Sequence, residues 1–196
     1  QKAILYGKFN KIFKKLHGKE LSYNNILDID SASKIILEFE EPTVAIIKHT
    51  NPCGVATADN LVDAYNKAFA TDNVSPFGGI IVMNRTVDKS TAETIHGLFT
   101  EVLIAPEFSS EALEILQAKK NRRLITVKFD ELKNNIDYDM KSVVGGILIQ
   151  STDKVLVNED NLKVVTKRQP TDDEMKALMF GWKICKHVKS NSIVYT

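Results

Sequence analysis

Cysteine is scarce in this chain: 196 residues hold two, Cys53 and Cys185, far apart and in no CxxC spacing. That scarcity excludes a disulfide framework and points to reduced thiols in a cytoplasm. A surplus of charge is missing too, since 26 Lys and Arg stand against 25 Asp and Glu for a net charge of +1. Such a balance calls for neither nucleic acid nor a membrane surface, so any anionic ligand has to be held by local charges. No apolar stretch approaches the ~20 residues that span a bilayer. The phosphate loop G-x-x-x-x-G-K-[ST] and the dinucleotide turn G-x-G-x-x-G are both absent. The pairs Gly78-Gly79 and Gly145-Gly146 read as tight entries into strands.

What is present is an alternation of two kinds of segment in a chain that is 43% hydrophobic. Strand candidates stand at TVAIIKH, GGIIVM, EVLIA, RLITV, VVGGILI and SIVYT. Between several of them lie amphipathic helices. One begins near Asp59 and puts Leu61, Ala64, Tyr65, Ala68 and Phe69 on one face. Another follows Pro170, opens with the capping-box pair Thr171 and Glu174, and continues with Met175, Leu178, Met179 and Trp182 as its apolar stripe. Shorter helices are predicted over Asp88 to Phe99 and Ser109 to Lys119. Strand and helix in repeated order predict an α/β fold, a mainly parallel sheet with helices packed on it.

Residues 1–30 are less regular, and the lysines of KFNKIFKKLHGK read as a solvated face. The simplest partition is an N-terminal arm over 1–30 and one domain over 31–196. The chain opens on Gln1 and stops inside the apolar run SIVYT, which reads as part of something longer.

The segment AIIKHTNPCG, residues 45–54, carries the chemistry. Lys48 and His49 end an apolar run, and Asn51-Pro52 with Gly54 reads as a turn, so the pair sits where a strand stops. Ligands of open α/β sheets bind at the carboxyl ends of strands. Alone the pair is ambiguous, because successive strand residues point to opposite faces. Only if the strand ends there do a histidine and a cation converge at a cleft mouth. NPCG resembles half of a zinc deaminase signature, yet Ala56 stands three residues after Cys53, and Asn51 stands where the glutamate belongs. No metal site is expected. Cys53 reads as a small, partly buried turn residue and Cys185 as core. His187 reads as a cation at a helix C-terminus, and His17 and His96 as surface residues.

KHTNPCG, then SPFGG, then LIAP before a helix, then KSNSIVY, together with QKAILYG and NNILDIDSA, resemble the transformylase portion of the bifunctional AICAR transformylase/IMP cyclohydrolase family of purine biosynthesis. The likeness runs over nearly the whole chain. It implies a three-layer α/β/α, cytidine-deaminase-like subdomain with a mainly parallel mixed sheet. Residues 31–196 would be the first of two such subdomains, without the second and without the cyclohydrolase. The implied activity moves a formyl group from the co-substrate 10-formyltetrahydrofolate to the 5-amino group of AICAR (5-aminoimidazole-4-carboxamide ribonucleotide), with no metal required. On the family's pattern His49 is the general base, Lys48 stabilises the transition state, and Asn191 hydrogen-bonds at the reacting centre. Gly78 and Glu101 contact the nucleotide. The resemblance further implies a cytoplasmic homodimer whose sites form across the subunit interface. A non-catalytic deaminase-like domain that binds a nucleotide or a partner is the alternative.

Overall fold

A computed structural model describes residues 4–134, 138–155, 157 and 159–196. In chain order the first elements are α1 (Phe9–Ile12), β1 (Phe13–His17), α2 (Tyr23–Ile36), β2 (Thr43–Lys48), β3 (Asn51–Thr57), α3 (Leu61–Thr71) and β4 (Ile80–Met83). Then come α4 (Lys89–His96), β5 (Val102–Ala105), α5 (Ser110–Gln117), β6 (Arg123–Val127) and α6 (Phe129–Lys133). A hairpin of β7 (Tyr138–Val143) and β8 (Gly146–Ser151) precedes α7 (Asp172–Cys185).

Six strands form one mixed sheet in the order β1-β6-β5-β4-β2-β3. Its centre, β4-β5-β6, is parallel. Antiparallel strands flank it, with β1 on β6 and with β2 joining β4 to β3. Strands β4 and β5 are apolar at every position because both of their faces are covered. Along β2 and β4, Val44, Ile46, Ile81 and Met83 face a layer of α3, α4 and α5. Ala45, Ile47, Ile80 and Val82 face the opposite layer, where α2 contributes Ile29, Ala32, Ile35 and Ile36. The architecture is three-layer α/β/α. Helix starts are capped as their sequences predict: Asp88 accepts from Thr91 N, Ser109 from Ala112 N, and Thr171 with Glu174 closes a capping box. Among the described residues no helix is long and apolar enough to cross a membrane.

Several expectations need correction. The division at residue 30 falls inside α2, and β1 belongs to the main sheet, so residues 9–36 are part of the domain rather than an arm. VVGGILI is only partly one strand: Val143 ends β7, Val144-Gly145 make the hairpin turn, and Gly146 to Ile149 open β8, in a two-stranded sheet apart from the main one. SIVYT is not in a strand; it runs along α7, where Thr196 Oγ1 donates to Ala177 O at 2.9 Å. That packing sets the orientation of α7. The helix offers two overlapping stripes, and its small residues Ala177 and Gly181 face the C-terminal segment, with Thr196 Cγ2 only 3.0 Å from where a Gly181 Cβ would stand. Phe180 lies against Phe39 (ring centroids 5.2 Å apart), Ile184 is buried, and Leu178, Trp182 and Cys185 are exposed instead. His17 and His96 are half-buried, and His17 Nε2 and His96 Nδ1 lie out of solvent.

His187 does more than complement a helix dipole. Its Nε2 lies 2.8 Å from Glu38 Oε1, and Lys186 Nζ reaches the same oxygen at 2.9 Å, joining the ends of α2 and α7. The Glu38 side chain is 8% exposed. Burial pushes its carboxyl up, but the hydrogen bonds from His187 and Lys186 outweigh burial and leave it below the ordinary glutamate range. Removing one member of a buried pair strands the others, so Glu38→Ala is expected to cost on the order of 3 kcal/mol in urea unfolding at neutral pH. Because the folded carboxyl is the more acidic one, its contribution is present above the unfolded value of about 4.3 and is lost as pH falls through the folded value. The Glu38→Ala protein lacks that component of acid unfolding.

Candidate functional site

Lys48 pairs with Asn51 at the end of the β2–β3 hairpin, which leaves His49 and Thr50 as its two connecting residues. Both have positive φ, 53° and 63°. That is the φ signature of a type I′ hairpin turn, for which Asn-Gly is the usual sequence. A β-branched threonine there is an outlier. The surroundings hold it: Asp28 Oδ1 accepts from Thr50 N at 2.7 Å, and Ser31 Oγ donates to Thr50 O at 2.8 Å. Thr50 Oγ1 donates back to His49 O at 2.6 Å. The turn therefore comes two residues earlier than Asn51-Pro52 suggests, and NPCG lies within β3. Proline is tolerated there because β3 is an edge strand. Ile46 pairs with Gly54 and Ile47 with Pro52, so Cys53 is the extra residue of a bulge. Burial raises the Cys53 thiol above its ordinary range, and the charge of Asp72 adds to the rise, leaving it a poor nucleophile.

The adjacency of Lys48 and His49 resolves here. Lys48 is the last residue of the strand, and His49 has left it and is exposed. Lys48 Nζ donates to Phe77 O at 2.9 Å. Because β2 runs antiparallel to β4, the end of β2 meets the beginnings of β4, β5 and β6. The site thus lies at the amino ends of the parallel strands, not at the carboxyl ends that the general rule favours. Gly78 and Glu101 stand on this edge, tied by Gly78 N to Phe99 O at 2.8 Å and Glu101 N to Gly79 O at 2.9 Å. The Phe77 and Phe99 rings pack with centroids 4.9 Å apart. Glu101 Oε2 accepts from Asn25 Nδ2 at 2.9 Å and lies 3.5 Å from Arg123 Nη1.

The segment that carries Asn191 reaches the same turn. Lys189 N donates to Asn51 Oδ1 at 3.4 Å, and Lys189 Nζ donates to Thr50 Oγ1. Asn191, two residues further on, is exposed. Of the five residues singled out from the sequence, Lys48, His49, Gly78 and Glu101 are brought to one end of the sheet, and the segment leading to Asn191 reaches the same turn through Lys189. Asn25, Asp28, Ser31 and Arg123 join them without having been legible. Burial raises the Asp28 carboxyl above its ordinary range, opposed by the bond from Thr50 N and by the charge of His49. A cavity of about 940 Å³ lies at the other end of the sheet, by Asn84 and Arg85 after β4, and none of these residues lines it.

A three-layer α/β/α domain that presents a lysine and a histidine on a restrained hairpin turn, over a glycine pair and a held carboxylate, defines the class. The chain belongs to the AICARFT/IMPCHase bienzyme family, whose model matches residues 1–196. It is 54% identical over 189 residues to a bifunctional purine biosynthesis protein PurH from Chlorobium chlorochromatii (strain CaD3), a match that takes in 95% of this chain and 36% of the relative. A protein of the same name from Thermoanaerobacter sp. (strain X514) is 51% identical over 199 residues, with 99% of this chain and 39% of the relative covered. The chain spans little more than a third of the length of these curated relatives.

The two glycines of SPFGG serve the site differently. Gly78 has φ 76°, with the nearest neighbour of an added Cβ at 3.7 Å, so its need is conformational. A Cβ on Gly79 would stand 2.8 Å from Ile47 O and 3.1 Å from Pro76 O, so its need is close approach to the strand that carries Lys48. Gly79→Ala is expected to cost about 1–3 kcal/mol in chemical denaturation and to shift the backbone resonances of Ile47 and Lys48. Gly78→Ala should cost about 1 kcal/mol with those resonances unmoved.

Proposed function

We propose that this chain supplies part of a formyl-transfer site of purine biosynthesis, at which a formyl group passes from 10-formyltetrahydrofolate to the 5-amino group of AICAR. One observation carries the reading: His49 and Lys48 share a restrained turn at the sheet edge that also holds Gly78, Glu101 and the segment leading to Asn191. The name shared by the relatives, bifunctional purine biosynthesis protein, agrees with it.

The chemistry suits these groups. The 5-amino group is a poor nucleophile, because its lone pair is delocalised into an imidazole that bears a carboxamide. As that nitrogen attacks the formyl carbon, a neutral His49 imidazole accepts its proton. Charge develops on the formyl oxygen, and the Lys48 ammonium stabilises it or delivers a proton to the departing N10 of the folate. The new C–N bond forms as the bond from the formyl carbon to N10 breaks. One of the three N–H donors of Lys48 is committed to Phe77 O, which orients the ammonium and leaves donors for an oxyanion. Asn191 hydrogen-bonds at the reacting centre. Gly78 and Glu101 hold the nucleotide, with Glu101 oriented by Asn25 and Arg123. The complete site belongs to the full-length protein, acting as a homodimer in the cytoplasm.

The test is AICAR-dependent release of tetrahydrofolate from 10-formyltetrahydrofolate by the full-length protein. His49→Ala is expected to lower kcat by about 10²–10⁴-fold, and Lys48→Met by about 10²–10³-fold. Wild-type turnover in His49→Ala refutes the reading and leaves the turn a structural strand end.

A further inference from the structure

One stripe of α2 faces the site. Asn25, Asp28 and Ser31 are spaced three apart, which places them on a single side of the helix. Each makes a bond to a different part of the site: Asn25 Nδ2 to the Glu101 carboxylate, Asp28 Oδ1 from Thr50 N, and Ser31 Oγ to Thr50 O. Asp28 and Ser31 thus take the N–H and the C=O of one residue, the second member of the left-handed turn. Beside this stripe, Ile29, Ala32, Ile35 and Ile36 fix α2 by burial against the sheet. Its first turn is set by a capping box between Ser22 and Asn25. The helix is clamped to the core, and the turn is clamped to the helix.

The clamp has a conformational penalty to overcome. His49 and Thr50 are consecutive non-glycine residues with positive φ, a conformation that L residues adopt at a cost and that β-branched residues avoid. Such strain persists where neighbouring contacts over-determine it, and it clusters at functional sites. Released from Asp28, Thr50 would relax toward negative φ, and the His49 side chain would swing away from the edge that holds Gly78 and Glu101. We infer that Asp28 is a positioning residue for formyl transfer: its carboxylate, with the Ser31 hydroxyl beside it, holds the His49-Thr50 turn left-handed and so aims His49 and Lys48 at the substrate. This rests on the function proposed above. Asp28 acts through the backbone of Thr50 rather than on the substrate.

The experiment pairs a backbone readout with kinetics in the full-length protein, using Asp28→Ala, Asp28→Asn, Ser31→Ala and, as reference, His49→Ala. Amide hydrogen exchange at Thr50 is expected to speed up by roughly tenfold to a hundredfold in Asp28→Ala, as the loss of a hydrogen bond to a charged acceptor implies. In the same variant kcat should fall by about tenfold to a hundredfold, the scale set by misplacing a reacting group by about 1 Å, while KM for AICAR stays within about threefold. Asp28→Asn keeps an acceptor for the Thr50 N–H and should return both quantities to within about threefold of wild type. Unchanged Thr50 exchange in Asp28→Ala overturns the inference, whatever kcat does, and so does an Asp28→Asn protein as impaired as Asp28→Ala, since the carboxylate would then act through its charge. Should Asp28→Ala fail to fold, Ser31→Ala, which removes only the bond to Thr50 O, carries the same test with the same expected signs. A fully active His49→Ala protein refutes the formyl-transfer reading itself, an outcome separable from the others because Thr50 exchange does not depend on turnover.

Discussion

Antiparallel pairing of β2 with β4, from Val44 opposite Met83 to Ile47 opposite Ile80, turns the end of one strand toward the beginnings of three others. Run the other way, β2 would deliver Lys48 to the end of the sheet by Asn84, far from Gly78 and Glu101. The register of this pair is also closely specified. Val44 and Ile46 fill one core layer and Ala45 and Ile47 the other, all four fully buried. A slip of one residue would exchange the two layers, which a close-packed interior resists. The position of the Lys48-His49 turn follows from hydrophobic packing several residues away from any polar group.

Strands β2, β4 and β5 were legible because a strand buried on both faces is a short, continuous apolar run, and β6 through Leu124, Ile125 and Val127 of RLITV. The start of α7 was legible because the Thr171-Glu174 capping box is a local interaction written in adjacent residues. What escaped was decided by distant contacts. In YNNILDIDSASKII the apolar stripe of α2 is interrupted by Asn25, Asp28 and Ser31, whose partners are Glu101, just before β5, and Thr50, in the turn between β2 and β3. Polar residues at those positions weaken the periodicity that reveals a helix. The Asn51-Pro52 dipeptide carries turn chemistry, but β3 is an edge strand and accepts a proline, so the actual turn fell on His-Thr, which no turn rule selects. For α7 the pattern supported two stripes, and packing of Thr196 against Gly181 chose between them.

The candidate site was legible in a different way. Lys48 and His49 stood out as chemistry at a strand end, while Gly78, Glu101 and Asn191 came from resemblance alone. Their convergence is a property of topology, since the loops before β4 and β5 and the segment after α7 meet the β2–β3 turn only through the sheet order. Arg123 and Asn25 could not be singled out, because an arginine opening a strand and an asparagine in a first helical turn are ordinary. Their meaning lies in the Glu101 carboxylate between them.

The charges at this edge are sorted by the kind of partner each has. Arg123 and Asn25 occupy Glu101, and Lys189 engages the Thr50 hydroxyl and lies near Asp28. Lys48 donates to a neutral acceptor, the carbonyl of Phe77, while the Asp72 carboxylate is within electrostatic reach of it without a hydrogen bond between the two. A carbonyl orients an ammonium without neutralising it, whereas a carboxylate would have spent much of its field on a fixed counter-charge. An ammonium so held keeps its attraction for negative charge that appears only during a reaction. Under the function proposed above that distinction bears on rate, because only interactions stronger in the transition state than in the ground state accelerate the chemical step. The same backbone that fixes Lys48 is tied through Gly78 N to Phe99 O and through the paired rings of Phe77 and Phe99. Orientation of the cation is thereby delegated to main-chain hydrogen bonds and ring packing, which carry no net charge and leave the field of the site to the groups that need it.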